Sequence, residues 1–173
     1  MKKIALILGI AILLIILAGC SSTPFRLHII ANSNSEMDQW VKLEVRDKVL
    51  ELTGEDMNNC KDYLQAEVYM KEHLEEIIAC ANKVLAEHGF EYDAKAYIGE
   101  FEFPDKKYGD IVYPAGTYHA MRIVLGEGAG ENWWCVMFPP LCLVNTEAED
   151  AEQQGEIEYS SAVVDWFREV FGW

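Results

Sequence analysis

Residues 126–142 have the sequence GEGAGENWWCVMFPPLC, which combines three glycines, two adjacent tryptophans, two adjacent prolines and two cysteines. Glycine adopts positive φ without steric cost, so the glycines predict a turn. The apolar run 133–138 predicts a buried strand that the prolines end, because a proline has no N–H to donate to a sheet. The stretch therefore predicts a tightly constrained strand that begins at a turn and stops abruptly.

A second strand is predicted directly before the glycines, at residues 118–125 (YHAMRIVL). The two strands and the long loop between them predict an antiparallel hairpin. Beyond the prolines the chain can fold back, so we expect a disulfide between Cys135 and Cys142. Cys60 and Cys80 would lie about 30 Å apart on one straight helix, and a disulfide requires Cα atoms within about 7 Å, so free thiols are expected there.

The sequence from residue 25 onward changes from a strand pattern to a helix pattern. Residues 25–31 (FRLHIIA) predict a short strand, and residues 32–35 (NSNS) favour a turn and a helix cap. A capping box that starts at Ser33 predicts a helix from Glu36 to about Leu52, ended by the Thr-Gly pair that follows.

Helical spacing returns at residues 61–88, with an irregularity at 68–71 that indicates a kink. Gly89 followed by Phe90 predicts a Schellman-type helix end, with the glycine in the left-handed conformation. Apolar and polar residues then alternate, which predicts further extended segments before the strand 118–125. These segments are residues 94–98, 101–103 and 111–113, with a loop at 104–110.

The predicted order of the main elements is β-α-α-β-β-β-α. Helices followed by strands favour a single two-layer α+β domain, residues 25–146, with an antiparallel or mixed sheet. An acidic spacer, residues 147–158, would lead to a C-terminal helix, residues 159–173, packed on the domain. The apolar face of that helix would consist of Val163, Val164, Trp166, Phe167, Val170 and Phe171.

The N-terminus predicts export. Two lysines precede an unbroken apolar run, residues 4–17, which is shorter than the roughly 20 residues of a membrane-spanning helix and suits a signal peptide. Residues 17–20 (LAGC) resemble the lipobox of bacterial lipoproteins. Residues 1–19 are therefore expected to be a signal peptide and residues 20–24 a tether, with a lipid on Cys20. The alternative is an uncleaved anchor, and either form tethers the exported domain to the membrane.

The chain is strongly acidic. It carries 29 acidic against 14 basic residues, a net charge of −15, which becomes −17 once Lys2 and Lys3 leave with the signal peptide. Nucleic acid and anionic lipid headgroups bind basic surfaces, so both are poor partners for this chain. Much of the acid lies in the spacer at 147–158, which is expected to be solvated.

Cofactor chemistry finds little support in the sequence. A phosphate cradle needs glycines that open a helix, and here they precede a strand. The four histidines lack the spacing of metal ligands, so neither a metal nor another cofactor is expected. Trp133 and Trp134 should point to opposite faces of their strand, one into the core and the other as a candidate exposed anchor.

A hydrolytic site could be assembled from Ser33 or Cys135 with His28 and Asp38. Such a nucleophile needs its base within hydrogen-bond reach, and no residue here has the sequence context of a known nucleophile. We therefore expect no enzyme activity, with a lipoprotein hydrolase of cell wall or peptides, or a ligand-binding lipoprotein, as alternatives. Asp38, Lys42 and Arg46 have the i, i+4, i+8 spacing of a surface ion-pair ladder, worth a few tenths of a kcal/mol per pair.

Three blocks of sequence within about residues 25–145 are those of a known family. They are RLHIIANSNS at 26–35, PAGTYHAMR at 114–122 and the glycine-, tryptophan- and proline-rich stretch 126–142. On these blocks the chain resembles the stage II sporulation protein R family of endospore-forming bacteria.

The resemblance implies a signalling protein that is made in the forespore and exported into the space between two membranes. There it would trigger a membrane-embedded aspartic protease, stage II sporulation protein GA, which processes pro-sigma-E. We expect the partner surface to lie on the loop and helix start between residues 28 and 47 and on the tryptophan hairpin. The candidate residues are His28, Asn32, Ser35, Asp38, Lys42, Arg46, Asp47, Trp133 and Trp134.

Overall fold

A computed structural model describes residues 23–108 and 111–142. The predicted signal peptide, lipobox, acidic spacer and C-terminal helix lie outside these residues. The described part contains three helices, none of them long and apolar enough to cross a membrane, and six strands. In chain order the elements are β1 (Phe25–Ile30), α1 (Glu36–Asn59), α2 (Tyr63–Glu72), α3 (Leu74–Glu87), β2 (Ala94–Phe103), β3 (Lys106–Tyr108), β4 (Ile111–Tyr113), β5 (Gly116–Leu125) and β6 (Asn132–Phe138).

β1 lies inside a four-stranded mixed sheet with the order β2-β5-β1-β6. It runs parallel to β5 and antiparallel to β6, and β2 is antiparallel to β5. The predicted hairpin of β5 and β6 is therefore wrong, because β1 separates these two strands. All residues of β1 before Ile30 are buried, as suits a strand with neighbours on both edges.

The helices form the second layer, on the face of the sheet to which β1 presents Phe25, Leu27 and Ile29. These three side chains are fully buried. The mixed sheet covered by helices on one face confirms the predicted two-layer α+β class. The helical side of the core includes Val41, Val45, Val49, Met57, Ala66, Met70, Ile77, Ala81 and Leu85.

α1 is longer than predicted, because the Thr-Gly pair does not end it. Thr53 Oγ1 donates a 2.8 Å hydrogen bond to the carbonyl oxygen of Val49, and the helix continues to Asn59. A glycine inside a helix costs about 1 kcal/mol relative to alanine. Fully burying a methionine side chain, as at Met57, contributes about 1.5–3 kcal/mol, so packing outweighs the local preference of Gly54.

The second predicted helix is two helices, so the described part has one helix more than expected. α2 ends and α3 begins at His73, just after the irregular segment 68–71. Gly89 has φ 78°, and the N–H of Phe90 donates to the carbonyl of Leu85 at 3.0 Å, which confirms the predicted helix end. The predicted loop 104–110 also contains β3, which pairs with β4 in a separate two-stranded sheet.

Candidate partner-binding site

The Asp38 carboxylate, only 6% exposed, is the centre of a polar network between β1 and α1. Its Oδ2 accepts hydrogen bonds from Ser33 Oγ at 2.5 Å and Asn32 Nδ2 at 3.0 Å, and its Oδ1 accepts one from the Tyr92 hydroxyl at 2.5 Å. Burial raises the pKa of Asp38, but its hydrogen-bond donors lower it by more, so the pKa lies below its ordinary value. An ionised carboxylate therefore joins three segments of the chain.

The cap of α1 belongs to the same network. Ser35 is the N-cap, and its Oγ accepts a 3.1 Å hydrogen bond from the N–H of Asp38. The predicted capping box at Ser33 is therefore wrong. Ser35 caps the helix, and the Ser33 hydroxyl donates to the Asp38 side chain instead. Burial, with help from the Asp38 carboxylate, raises the pKa of Tyr92 well above its ordinary value, so the Tyr92 hydroxyl stays a donor.

Asn32 holds the glycine-rich loop against the end of β1. Its Oδ1 accepts a hydrogen bond from the N–H of Glu127, and its carbonyl oxygen accepts one from the N–H of Ala129, both at 3.0 Å. The N–H of Gly130 donates to the carbonyl of Ala31 at 2.9 Å. The loop is therefore fixed by hydrogen bonds from three of its backbone N–H groups, those of Glu127, Ala129 and Gly130.

The glycines are needed because backbone packs on backbone here. Gly126 and Gly128 have φ of 53° and 63°, which disfavour other residues. A Cβ on Gly130 would lie 2.6 Å from the carbonyl carbon of Ser33, closer than van der Waals contact allows. The loop thus serves close packing.

Lys42 fixes the far end of the loop. Its ammonium group donates to Gln39 Oε1 at 2.7 Å and to the carbonyl oxygen of Glu131 at 3.2 Å. The N–H of Glu131 in turn donates to Asn34 Oδ1 at 2.7 Å. Lys42 of α1 and Asn34 of the β1–α1 loop therefore hold Glu131 through its carbonyl oxygen and its N–H.

The predicted surface ion-pair ladder of α1 is wrong. Asp38, Lys42 and Arg46 are 6%, 6% and 4% exposed, because this face of α1 packs against the loop and β6. Arg46 Nε donates to Asp47 Oδ1 at 2.7 Å, and its guanidinium carbon lies 5.3 Å from the Trp133 ring centre. These side chains position backbone and core groups, and they do not form a solvated row.

Several exposed residues lie near this network, and we call them the loop surface. It combines amide and hydroxyl groups of the β1–α1 loop, two apolar side chains of α1 (Met37, 57% exposed, and Trp40, 39% exposed) and two carboxylates of the glycine-rich loop. Its members are Asn34, Ser35, Met37, Trp40, Glu127 and Glu131.

The two tryptophans lie on opposite faces of β6, as predicted. Trp133 is 2% exposed and belongs to the core. Trp134 is half-buried on the other face, where its ring stacks on His28 at a centroid distance of 3.7 Å. A disulfide joins Cys135 to Cys142, with the Cα atoms 6.0 Å apart, and Cys60 and Cys80 are free. The Phe138–Pro139 peptide bond is cis.

His28 is buried in a neutral state. Its Nδ1 accepts a 3.0 Å hydrogen bond from Arg122 Nε, so Nε2 carries the proton that is donated to Asn132 Oδ1 at 2.7 Å. Burial lowers the pKa of His28 to about 4, and the Arg122 and Arg26 cations add to this effect. A protonated His28 would place a second donor against the Arg122 guanidinium.

The structure separates the predicted site residues into two groups. Asn32, Ser35, Asp38 and Lys42 meet in the network, with Arg46 and Asp47 one turn further along α1. His28 and Trp134 lie on the opposite face of the sheet, which none of the helices described here covers. The hydrolytic arrangement is not assembled, since Cys135 is in a disulfide and His28 bonds Asn132 and Arg122. Within 23–108 and 111–142 no group of His, Cys, Asp or Glu side chains is placed to hold a metal.

Three members of the network were not predicted. Tyr92, Asn34 and Glu131 complete the network, but Tyr92 is 54 residues from its partner Asp38 and Glu131 is held mainly through its peptide group. The NSNS sequence of residues 32–35 was the available signal, since four short polar side chains in a row exceed what one helix cap requires.

These features define a two-layer α+β domain whose loop end is held by a hydrogen-bond network around the buried Asp38 carboxylate. The model of the stage II sporulation protein R family matches residues 21–148, and the chain belongs to this family. The stage II sporulation protein R of Bacillus subtilis (strain 168) is 37% identical over 136 residues, which cover 79% of this chain and 61% of that relative. The chain thus spans about 61% of the relative's length. No solved structure matches. The protein is a sporulation protein, and its family is named for a stage of sporulation and not for an enzymatic activity.

Proposed function

We propose that the protein is an exported sporulation signal that activates a membrane-embedded aspartic protease, stage II sporulation protein GA, for the processing of pro-sigma-E. Membership of the stage II sporulation protein R family is the observation that carries this proposal. The domain would act at the outer face of the forespore membrane, held by a lipid on Cys20 or by its uncleaved signal segment.

Activation would be a shift in the protease's conformational equilibrium. A binding protein shifts such an equilibrium only by the difference between its affinities for the two states. Moving a protease from about 1% to about 99% active requires a difference of about 5.5 kcal/mol. A surface that is already rigid before binding loses little conformational entropy on binding, and this favours the loop surface as the contact.

Within this proposal the candidate residues divide by position. Ser35 and Asp47 are exposed and available to a partner. Asp38 and Lys42 are buried, so they would position the loop surface without touching the protease. Met37 and Trp40 are the apolar anchors, because exposed aromatic and methionine side chains are enriched among residues that dominate interface energies.

The test is co-expression of this protein with the protease and pro-sigma-E, followed by immunoblotting for the processed sigma factor. We expect Met37→Ser/Trp40→Ser to reduce processing at least about tenfold. The matched control is Leu64→Ser/Val68→Ser, which removes two exposed apolar side chains from α2 (55% and 52% exposed) and should process normally. Equal loss in both pairs, or no loss in either, would contradict the assignment of the loop surface.

The tether is tested separately. A Cys20→Ala variant should lose incorporation of radiolabelled palmitate if Cys20 carries the lipid. Labelling that persists without Cys20 would contradict lipidation at this residue. Processing by the unlabelled variant would then report whether an uncleaved signal segment is a sufficient anchor.

A further inference from the structure

The face of the sheet opposite the helices, which we call the open face, is aromatic and cationic. Strand alternation places on it Tyr97 and Phe101 of β2, Arg122 and Val124 of β5 and Trp134 of β6. The β2 and β5 residues form cross-strand neighbours, with Tyr97 opposite Arg122. The Arg122 guanidinium carbon lies 4.0 Å from the centre of the Phe101 ring. No helix among residues 23–108 covers this face.

The small β3–β4 sheet covers one end of the open face. Tyr108 of β3 accepts a hydrogen bond from Arg26 at 3.1 Å and donates one to the carbonyl oxygen of Trp134 at 3.2 Å. Tyr113 of β4 packs toward Arg26, which is fully buried. No other element of the described residues covers the rest of the open face, and Tyr97 there is 51% exposed.

The open face also differs in charge from the rest of the chain. The protein has a net charge of −15, yet the charged residues that the four strands carry on this face are Arg26, Lys95 and Arg122. The acidic residues of β2 point to the other face, where Glu100 lies 3.4 Å from His119. Arg26 is fully buried beneath the β3–β4 sheet, so Lys95 on the edge strand β2 and Arg122 on β5 are the cations that a partner can meet. A mostly apolar face with these two cations suits an apolar partner that carries acidic groups.

We propose that the open face is the docking surface for residues 159–173 of the same chain. The sequence pattern of this segment predicts an amphipathic helix whose apolar side includes Trp166, Phe167, Val170 and Phe171. Two glutamates, Glu156 and Glu158, precede it and match the cations of the open face in charge. Docking turns the two-layer domain into three layers with helices on both faces of the sheet.

The position of the chain exit permits this docking. The disulfide fixes Cys142 beyond the end of β6, and Phe138 of β6 pairs with Phe25, next to Arg26. The intervening residues 143–158 reach about 50 Å when extended. A ten-residue strand such as β5 is about 33 Å long, so the segment reaches any part of the open face. The family match ends at residue 148, so the proposed docking segment lies outside the matched region.

Photo-crosslinking of the full mature chain tests the proposal, with p-benzoylphenylalanine in place of Tyr97 as the probe. We expect a crosslink within one chain to a peptide from residues 159–173. The matched control has the probe at Leu64, which is 55% exposed on the helical side and should not reach that peptide. A crosslink between two chains would assign the open face to a second copy and overturn the proposal, as would no crosslink to residues 159–173.

A second variant separates docking from folding. Phe167→Asp/Val170→Asp should lower the crosslinking yield at Tyr97 about tenfold or more, because it puts two carboxylates on the docking side of the segment. Near-UV circular dichroism of the same sample checks that the domain itself is intact. An unchanged yield in the intact variant would overturn the proposal.

Discussion

Tyr92 donates a 2.5 Å hydrogen bond to the Asp38 carboxylate across 54 residues of sequence. Tyr92 lies just before β2 and Asp38 in the first turn of α1, so this bond ties the start of the sheet's edge strand to the start of the first helix. The same carboxylate holds Ser33 and Asn32, and Asn32 holds the glycine-rich loop. The loop surface therefore depends on one buried negative charge.

Asp38→Asn should lower the free energy of unfolding by about 2–3 kcal/mol, because hydrogen bonds to a buried charged acceptor are lost or weakened. Denaturant unfolding at pH 7 measures the change. The control is Asp47→Asn, whose half-exposed carboxylate pairs with Arg46 and should cost less than about 1 kcal/mol. Equal effects of the two substitutions would contradict the central role of Asp38.

The pH dependence of Asp38 follows from its lowered pKa. A carboxylate with a lowered folded-state pKa stabilises the fold above the unfolded pKa of about 3.9. That contribution is lost as the pH falls through the folded-state value. We expect the stability difference between the native protein and Asp38→Asn to shrink below pH 4, and a constant difference would contradict the assignment.

His28 should make the protein less stable in mild acid. Its pKa is about 4 in the folded protein and 6.5 ordinarily, so the unfolded chain binds more protons between these values. The stabilisation is complete above pH 6.5 and decreases as the pH falls toward 4, by about 3 kcal/mol in total at 1.36 kcal/mol per pKa unit. Unfolding curves at pH 4.5 and 7.5 measure the loss. His28→Gln should remove most of this slope, and an equal slope in the variant would assign it to other groups.

Gly130→Ala should destabilise the protein by more than about 2 kcal/mol, since the new Cβ would overlap the backbone of Ser33. Hydrogen exchange of the Ala129 and Gly130 amides should accelerate as the loop loosens. Gly99→Ala is the control, because its Cβ would meet nothing closer than 3.9 Å. That change should stay within about 0.5 kcal/mol, and similar losses at both glycines would contradict the close packing.

Removal of the disulfide with Cys135→Ala/Cys142→Ala should cost about 2.5 kcal/mol, the loop-closure entropy expected for a short loop. Reductant should lower the midpoint of unfolding of the native protein and leave this variant unchanged. Cys60→Ser/Cys80→Ser is the control and should keep the native sensitivity to reductant, because both thiols are free. A loss of sensitivity there would indicate that those cysteines pair.

Local periodicity was sufficient to predict most elements but not their arrangement. The strand at 133–138 and the helix end at Gly89 were predicted correctly, because glycine, proline and alternation act over a few residues. The position of β1 was not predictable in this way, since Arg122 and Asn132 meet His28 across 94 and 104 residues. Parallel and antiparallel neighbours of a buried apolar strand have the same local pattern.

The sequence predicted which residues of the candidate site lie close together, but not which of them are buried. Helical spacing grouped Asp38, Lys42 and Arg46 correctly on one face of α1, but it could not tell a solvated face from a face covered by the glycine-rich loop. Burial there depends on Ala129 and Gly130, which approach as backbone and carry no polar side-chain signal. The tryptophans were predictable because strand alternation alone puts them on opposite faces.

The central place of β1 also determines when the domain can fold. β1 is made first, but both strands that flank it come from the last quarter of the described chain. When the chain emerges with its N-terminus first, from a ribosome or through a membrane pore, β1 therefore remains without both of its neighbours until β6 has emerged. Loop closure over so many residues slows folding. Under the proposed export, the domain would stay unfolded until almost its whole length has crossed the membrane.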